Sequence, residues 1–396
     1  MTLTLRRMKD MDSVYNKRIL VRVDFNVPID PQTGYVGDET RIQAVLPTLN
    51  QLLRAGARVV VMSHKGRPHG WDETQSLAPV VRYVQSLLDY PVRFIDSIVS
   101  DEPTEAVNAL KPGEMLILQN LRFDPREQAN DPEFAKALAA LGDAYVDDAF
   151  STAHRSDASI VGIPQYLPAY AGHLMETEVM TLEHILGRPA RPYWAIVGGA
   201  KVPDKLAMLL RLVDKLDGLV LGGAMATTFL AAKGYPIGRS LYGQGLETQA
   251  LDILSKAQAR HVPVILPEDV MVAPAIGPNV PSRLCALDDV HDDEHIVDIG
   301  PMTVQRMAEA IEASRTVLWN GPMGVFEYDA FAYGTLMVAN KVADMRCAVV
   351  VGGGDTVAAI AKAGVSSRMT HISTGGGALL QWVEGEELPG LRVLYA

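Results

Sequence analysis

The chain contains little cysteine, since Cys285 and Cys347 are the two cysteines among 396 residues. This pair supplies neither a disulfide framework nor a CxxC metal site, and the sequence therefore predicts a reducing compartment. No uninterrupted apolar run approaches the roughly 20 residues of a membrane span, and no apolar segment follows the first basic residues. From these absences we expect a cytoplasmic protein.

Positive charge is also scarce, because 36 Lys and Arg residues face 47 Asp and Glu residues, for a net charge of −11. An acidic field of this kind argues against a nucleic acid or an anionic membrane held by a broad basic surface. A small anionic ligand held by a few local cations stays possible. We therefore expect small-molecule ligands, with neither nucleic acid nor membrane as a partner.

Two common nucleotide-binding motifs are missing. The chain has no Gly-Lys dipeptide, so the Walker loop is absent, and it has no G-x-G-x-x-G fingerprint. It also lacks the G-x-S-x-G motif, and no Cys/His nucleophile arrangement emerges. The absence of a protein nucleophile fits direct phosphoryl transfer, which depends on positioning and charge neutralisation.

Short β-branched runs alternate with longer helical patterns along the chain, which is typical of βα units around a parallel sheet. A chain of 396 residues favours about two domains. The runs that we interpret as strands are 18–23, 58–63, 114–119, 144–148, 193–197, 219–221, 262–266, 316–319, 347–351 and 370–373.

Residues 172–187 show the pattern of an amphipathic helix and precede a proline-bearing segment and a new strand at Tyr193. We place the domain boundary at the end of this helix. Two βα halves of similar size, joined by a helix, would leave a ligand-binding cleft between them.

Basic side chains of the first half cluster at predicted strand ends or, for Arg41, at a helix start. Arginine forks bind carboxylate or phosphate with two parallel hydrogen bonds, so several of them converging would hold a small multiply charged anion. Taken singly, each could instead be a solvated surface residue, and His64 could be structural. The candidates are Arg22, Arg41, His64, Arg67, Arg122 and Arg155, with Asp24 and Asn26 as acceptors for a ligand hydroxyl.

The second half has three glycine-rich turns that open helices, VGGAKVPDK (197–205), VGGGDT (351–356) and STGGGA (373–378). Glycine lets the backbone approach phosphate, and helix N-termini offer free N–H groups. Lys201 and Lys205 are four residues apart and suit two points on a polyphosphate, although they could be solvated helix lysines. Asp355 is either an N-cap or a magnesium ligand. Glu327 is either a loop carboxylate or an acceptor for ribose hydroxyls.

Residues 291–295 match the H-x-x-E-H pattern of some zinc peptidases. That site requires a helix, but the surrounding segment DDVHDDEH is acidic and has no apolar helical face. We therefore interpret the segment as a solvated surface stretch.

A series of motifs runs in order from about residue 17 to the C-terminus. The motifs are VRVDFNVPI (21–29), SHKGRP (63–68), LQNLRF (118–123), DAFSTAHR (148–155), VGGAKVPDK, LGGAMATTFL (221–230), ILPEDV (265–270), DIGP (298–301), WNGPMGVFE (319–327), GGGDT (352–356) and HISTGGGA (371–378). Together they closely resemble the phosphoglycerate kinase family. The resemblance implies an α/β fold of two doubly wound parallel-sheet domains, facing each other across a cleft and joined by a hinge helix. It assigns 1–187 and a returning segment, 383–396, to a 3-phosphoglycerate domain and 188–382 to a nucleotide domain.

The resemblance also implies the reaction, which is reversible transfer of the acyl phosphate of 1,3-bisphosphoglycerate to MgADP, giving 3-phosphoglycerate and MgATP. It implies catalytic roles for Arg41, Lys201, Gly376 and Gly377. It implies an acid site of Arg22, Asp24, Phe25, Asn26, Arg41, His64, Lys65, Gly66, Arg67, Arg122 and Arg155. It implies a nucleotide site of Lys205, Gly222, Gly223, Asn320, Glu327, Gly353, Gly354, Asp355 and Thr356, with Asp355 holding Mg²⁺.

With one substrate on each domain, transfer would require hinge closure, and the family expectation is a monomer. Lys65, Ser151 and Asp157 stand where the family commonly has Leu, Gly and His. Lys65 would add a cation beside the acid site, whereas Asp157 would weaken it. These departures leave open an acyl-phosphate kinase for a different acid. An inactive relative that binds acidic metabolites or a protein partner is the other alternative.

Overall fold

The structure, a computed structural model, describes residues 4–396 and divides into two compact units. The first runs to Met180 and is completed by Glu387–Ala396, and the second is Thr181–Glu386. Helix α6, His173–Ile185, leads the chain from the first unit into the second. Residues 1–3 of the predicted first domain lie outside the described residues. Within the described part of the chain, no helix is long and apolar enough to cross a membrane.

The first unit is built on a parallel sheet of six strands, in the order β3-β4-β2-β1-β5-β6. Its strands are apolar because helices cover both faces, as the buried residues of β1 and β2 indicate. The strands are β1 (Arg18–Arg22), β2 (Arg58–Met62), β3 (Val92–Phe94), β4 (Met115–Ile117), β5 (Ala144–Asp147) and β6 (Ala169–Ala171).

The helices of the first unit follow their sequence signals. Helix α1 buries Ile42, Val45 and Leu49 against the sheet and ends just before Gly56, whose φ of 74° requires glycine. The helices are α1 (Thr40–Arg54), α2 (Ala78–Leu87), α3 (Asp101–Asn108), α4 (Pro125–Gln128), α5 (Pro132–Ala139) and α6.

The C-terminal residues pair with the beginning of the described chain. Arg6 N donates to Leu394 O at 2.9 Å, and Thr4 N donates to Ala396 O at 2.9 Å. The last helix of the chain, Pro389–Arg392, is anchored by a bond from Gly390 N to Ala153 O at 2.8 Å. These bonds fix the returning segment within the first unit.

The second unit contains a second parallel sheet of six strands, in the order β15-β14-β13-β7-β8-β9, which confirms the predicted α/β class. The predicted strand 193–197 is observed with the same bounds. The strands are β7 (Tyr193–Val197), β8 (Gly218–Leu221), β9 (Val264–Ile265), β13 (Thr316–Asn320), β14 (Ala348–Gly352) and β15 (His371–Ile372). The helices of this unit are α7 (Val202–Leu212), α8 (Gly223–Ala232), α9 (Glu247–Ala259), α10 (Pro301–Ile311), α11 (Tyr333–Asp344), α12 (Gly354–Lys362) and α13 (Gly377–Glu384).

A three-stranded antiparallel sheet in the second unit was not predicted. It consists of β10 (Asp269–Ala273), β11 (Arg283–Ala286) and β12 (His295–Ile299), with β10 in the centre. Strand β11 exposes alternate residues, and β12 begins inside the acidic segment, so neither shows the continuous apolar run of the parallel strands. The short strands β3 and β6 were missed as well.

Candidate active site

Each parallel sheet has a point where the strand order reverses. Strand β1 lies between β2 and β5, and β7 lies between β8 and β13. Ligands of open α/β sheets bind at such points, beyond the carboxyl ends of the strands. Predicted site residues follow these strands and the strands β4, β14 and β15, whereas Arg41 and Lys205 lie in helices α1 and α7.

Arg41 is held at the edge of the first unit by two acceptors that follow β1. Its Nη1 lies 2.8 Å from Asp24 Oδ2 and donates to Asn26 O at 3.0 Å. Ser151 Oγ also donates to Asp24 Oδ2, at 2.5 Å. Asp24 thereby joins the loop after β1 to α1 and to the segment after β5.

His64 is buried after β2 and contacts Arg22, with 3.1 Å between His64 Nδ1 and Arg22 Nη2. Burial, and then the charges of Arg22, Arg122, Arg155 and Arg41, hold the pKa of His64 well below its ordinary value. The imidazole is therefore neutral near pH 7.

Arg122 extends the cluster from the segment after β4. Its Nη1 donates to Gly66 O at 2.6 Å, and Gly66 N donates to Asn26 Oδ1 at 2.9 Å. Burial and the neighbouring Arg155 charge lower the pKa of Arg122 to about 10, so it stays cationic at neutral pH. Within residues 4–396, Arg122 Nε and Nη2 and Arg155 Nε are buried without a hydrogen-bond partner.

Asp157 lies beside these arginines, with its Oδ2 3.9 Å from Arg122 Nη2 and its side chain 9% exposed. Its Oδ2 forms no hydrogen bond with the described residues. The departure at this position therefore places a carboxylate next to the unpartnered guanidinium nitrogens.

Three other residues that were predicted for the acid site have surroundings that differ from those of the arginine cluster. Arg67 is exposed, and the ring of Phe25 is part of the hydrophobic core, so only the Phe25 backbone can line a site. Lys65 Nζ donates to Thr74 O at 2.8 Å. Burial lowers the pKa of Lys65, and the negative charge of Asp72 opposes this shift. The ammonium of Lys65 is thus bound by the segment after β2 instead of extending the arginine cluster.

Lys205 occupies the reversal point of the second sheet. Its Nζ donates to Gly198 O at 2.6 Å and to Asn320 O at 3.3 Å, at the ends of β7 and β13. Burial lowers the pKa of Lys205 to about 8, an effect that the negative charge of Asp355 opposes. Lys201 is exposed at the residue before α7.

Glycine is required where the loop after β7 approaches the loop after β13. A Cβ at Gly198 would lie 2.1 Å from Pro322 O. Gly353 has a φ of 89° at the residue before α12, and Gly354, Asp355 and Thr356 begin that helix. Thr356 is fully buried, and its hydroxyl accepts from Gly321 N at 2.6 Å, so it holds the loop after β13.

An apolar cavity of about 260 Å³ lies beside these turns, within the second unit. Its lining consists of many apolar side chains together with Glu327, Asp355, Gly199 and Gly223. Its apolar lining was not predicted from the sequence and includes Leu241, Ile276, Val297, Met323 and Val325. Of the remaining predicted residues, Gly222 directly precedes α8, and Gly376 and Gly377 form the beginning of α13.

The acidic segment 288–295 is not entirely solvated. Glu294 is buried and accepts from Arg283 Nη2 at 2.6 Å and from His291 N at 3.1 Å. The interpretation of the whole segment as a solvated stretch was therefore wrong at Glu294. No group of three or more His, Cys, Asp or Glu side chains that could hold a metal occurs in the described chain.

Cationic side chains thus lie at the carboxyl ends of both doubly wound sheets, with an apolar cavity beside those of the second. Residues 8–386 match the phosphoglycerate kinase family. Phosphoglycerate kinases from Moorella thermoacetica and Herpetosiphon aurantiacus are 49% and 48% identical to the chain, over 98% and 96% of both sequences. The phosphoglycerate kinase structure from Coxiella burnetii superposes with a TM-score of 0.86, at 38% identity and 99% coverage of both chains. The chain belongs to the phosphoglycerate kinase family.

Proposed function

We propose that the chain catalyses the reversible transfer of a phosphoryl group between 1,3-bisphosphoglycerate and MgADP, giving 3-phosphoglycerate and MgATP. The observation that carries this proposal is the pair of cation sites, each at the reversal point of its own parallel sheet. One site presents arginine forks and a neutral histidine, and the other presents a lysine beside an apolar cavity. An acid and a nucleotide are the ligands that these two sites fit.

In the acid site, Arg122 and Arg155 bind the charged groups of the phosphoglycerate through their unpartnered nitrogens. Arg67, exposed at the same edge, adds a third guanidinium. Asp24 and Asn26 orient Arg41 and offer acceptors to the substrate hydroxyl.

In the nucleotide site, the apolar cavity holds the base, and Glu327 accepts hydrogen bonds from the ribose hydroxyls. Lys205 and the glycine turn at 353–356 bind the phosphates, where the N-terminus of α12 offers free N–H groups. Arg41, Lys201 and the N–H groups of Gly376 and Gly377 neutralise the phosphoryl group during transfer.

Asp355 fits a magnesium ion that is shared with the nucleotide. Its carboxylate is exposed at the first turn of α12 and lines the cavity with Glu327. Mg²⁺ is commonly bound by one or two carboxylates plus substrate phosphates, so one carboxylate is sufficient on the protein side. When bound, the ion would neutralise phosphate charge.

Each substrate has its own unit in this proposal, and in-line transfer therefore requires closure around α6 and the returning segment. Scattering profiles with both substrates bound should give a smaller radius of gyration than profiles of the free protein. An unchanged radius of gyration would refute closure but would leave the assignment of both sites unaffected.

A coupled assay with 3-phosphoglycerate and MgATP tests the reaction itself. We expect turnover that EDTA abolishes and that excess Mg²⁺ restores. Turnover with another carboxylic acid but not with 3-phosphoglycerate would identify a kinase for a different acid. Binding of both substrates without turnover would identify an inactive relative.

A further inference from the structure

Arg22 lies at the end of β1 and is fully buried, so its charge is compensated by protein atoms. All three guanidinium nitrogens have partners. Nε donates to Ser159 Oγ at 2.9 Å, Nη1 donates to Val23 O at 2.5 Å, and Nη2 contacts His64 Nδ1 at 3.1 Å. Arg22 therefore acts through neighbouring groups more than through free donors of its own.

In the hydrogen bond between Arg22 and His64, only Arg22 can be the donor. A guanidinium has five N–H donors and no acceptor, and it keeps its protons in proteins. His64 Nδ1 must therefore accept the bond, which requires this nitrogen to be without a hydrogen. In a neutral imidazole the hydrogen then resides on Nε2, on the side of the ring directed away from Arg22.

A buried chain of hydrogen bonds fixes the guanidinium in turn. Ser159 Oγ accepts from Arg22 and donates to Glu127 Oε1 at 2.5 Å, and Ser159 N donates to Glu127 Oε2 at 2.9 Å. Both carboxylate oxygens of Glu127 thus act as acceptors. Burial raises the pKa of Glu127, whereas the charge of Arg22 and the two bonds from Ser159 oppose this shift and favour the ionised form. The hydrogen bonds thus run in the order Glu127, Ser159, Arg22, His64.

We propose that Arg22 is a positioning residue that locks His64 in the neutral tautomer with hydrogen on Nε2, so that His64 meets the acid as a hydrogen-bond donor. This inference rests on the proposed function for the identity of the acid. An anionic or hydroxyl oxygen of the substrate is the acceptor that such a donor would bind. The cost of protonating His64 among four arginines keeps the donor neutral over the working pH range.

Nitrogen-15 NMR of the full chain labelled at histidine measures the tautomer directly. Signals of His64 are assigned as those lost in His64→Gln. We expect the Nε2–H tautomer of His64 from pH 6 to pH 8, without conversion to imidazolium. An Nδ1–H tautomer or an imidazolium in the unmodified protein would overturn the proposal, whatever the behaviour of any variant.

Arg22→Met tests the role of Arg22, and Arg22→Met combined with Glu127→Gln removes both buried charges if the single variant does not fold. We expect the His64 nitrogen signals to move toward the Nδ1–H tautomer and the KM for 3-phosphoglycerate to rise about tenfold, while the KM for MgATP stays unchanged. Arg22→Lys, which keeps a donor at this position, should restore part of the original tautomer signal. Unchanged His64 signals in a folded Arg22→Met variant would refute the assignment.

The two proposals fail in different ways. If the Nε2–H tautomer is found but 3-phosphoglycerate is not turned over, the locking by Arg22 stands and the proposed reaction is wrong. If turnover is normal and the tautomer differs, the reaction stands and the locking is wrong.

Discussion

Arg41 Nη1 lies 2.8 Å from Asp24 Oδ2, and the two side chains differ sharply in exposure, at 38% for Arg41 and 7% for Asp24. The buried carboxylate therefore holds one side of a guanidinium whose other side remains accessible. A cation positioned in this way can meet an incoming anion without first losing side-chain entropy, which reduces the cost of binding.

Replacing Arg41 tests its role in transfer. We expect Arg41→Ala to lower kcat by at least about 100-fold, because an electrostatic donor to the reacting group is typically worth this much. The Kd for ADP should change by less than about twofold, since Arg41 belongs to the first unit and the proposed nucleotide site to the second. Steady-state assays and calorimetry measure the two quantities.

Arg41→Lys is the matched control, because it keeps the charge but loses the planar fork. Its turnover should fall between those of the original protein and Arg41→Ala. Near-normal turnover of Arg41→Ala would remove Arg41 from the catalytic assignment.

The carboxylate of Asp157 is expected to compete with the acid for the arginine cluster. Asp157→Asn removes a negative charge 3.9 Å from Arg122 Nη2 and should lower the KM for 3-phosphoglycerate severalfold, corresponding to about 1 kcal/mol. The value of kcat should stay within about twofold, as expected for uniform binding. Initial rates over a range of 3-phosphoglycerate concentrations provide the measurement.

Asp124→Asn is the control for this charge change. Asp124 pairs with Arg126 on the surface, and asparagine can replace it as an N-cap, so the KM should not change. An equal decrease in KM in both variants would attribute the effect to net charge instead of to the position of Asp157.

The sequence predicted the parallel sheets well because buried parallel strands have continuous apolar runs, as in Tyr193–Val197. It also indicated the strand ends that His64 and Arg122 follow and the helix that carries Lys205. It could not predict that Arg22 contacts Ser159, 137 residues further along the chain, because nothing in either segment specifies the contact. Long-range partners of this kind depend on how the strands assemble.

Side-chain direction was the other information that the sequence did not provide. His64 and Lys65 are adjacent, and both were predicted to line the acid site. In extended chain, successive side chains point to opposite sides. His64 lies among the arginines, whereas Lys65 is bound by Thr74 O. The burial of Glu294 was also missed, because the acidic composition of its segment does not indicate that Arg283 binds one of the carboxylates.

Glu294 should stabilise the folded state near neutral pH and lose this contribution in acid. The hydrogen bond from Arg283 lowers its pKa to about 2, below the ordinary value of 4.5. A carboxyl with a depressed pKa in the folded state stabilises that state above pH 4.5 and loses this contribution as the pH falls toward 2. Urea unfolding should therefore show a lower midpoint for Glu294→Gln at pH 7 and a smaller difference from the original protein at pH 4.

Addition of Zn²⁺ tests whether the H-x-x-E-H pattern at residues 291–295 binds the metal. It should leave the urea midpoint of the original protein unchanged, since no cluster of three metal ligands surrounds these histidines in the part of the chain that the structure describes. A midpoint that rises with Zn²⁺ and no longer does so in Glu294→Gln would contradict this expectation.

Nucleotide affinity should depend on the protonation of Lys205. Its pKa of about 8 in the absence of nucleotide means that the ammonium is lost as the pH rises from 7 to 9, and phosphate affinity should fall over this range. Bound phosphate favours the charged form, so binding of ADP at pH 8.5 should take up a proton. Calorimetry in two buffers of different ionisation enthalpy measures this uptake.

Lys205→Met should bind ADP more weakly at pH 7 and take up no proton at pH 8.5. The stability of the two proteins gives an independent check. Because the pKa of Lys205 is about 8 in the folded state and ordinarily 10.5, unfolding binds a proton between these values, and the contribution of Lys205 to the free energy of unfolding rises with pH there. The difference in stability between the original protein and Lys205→Met should therefore shift in favour of the original protein from pH 8 to pH 10. A difference that stays constant, together with proton uptake that persists in the variant, would assign the titration to another group.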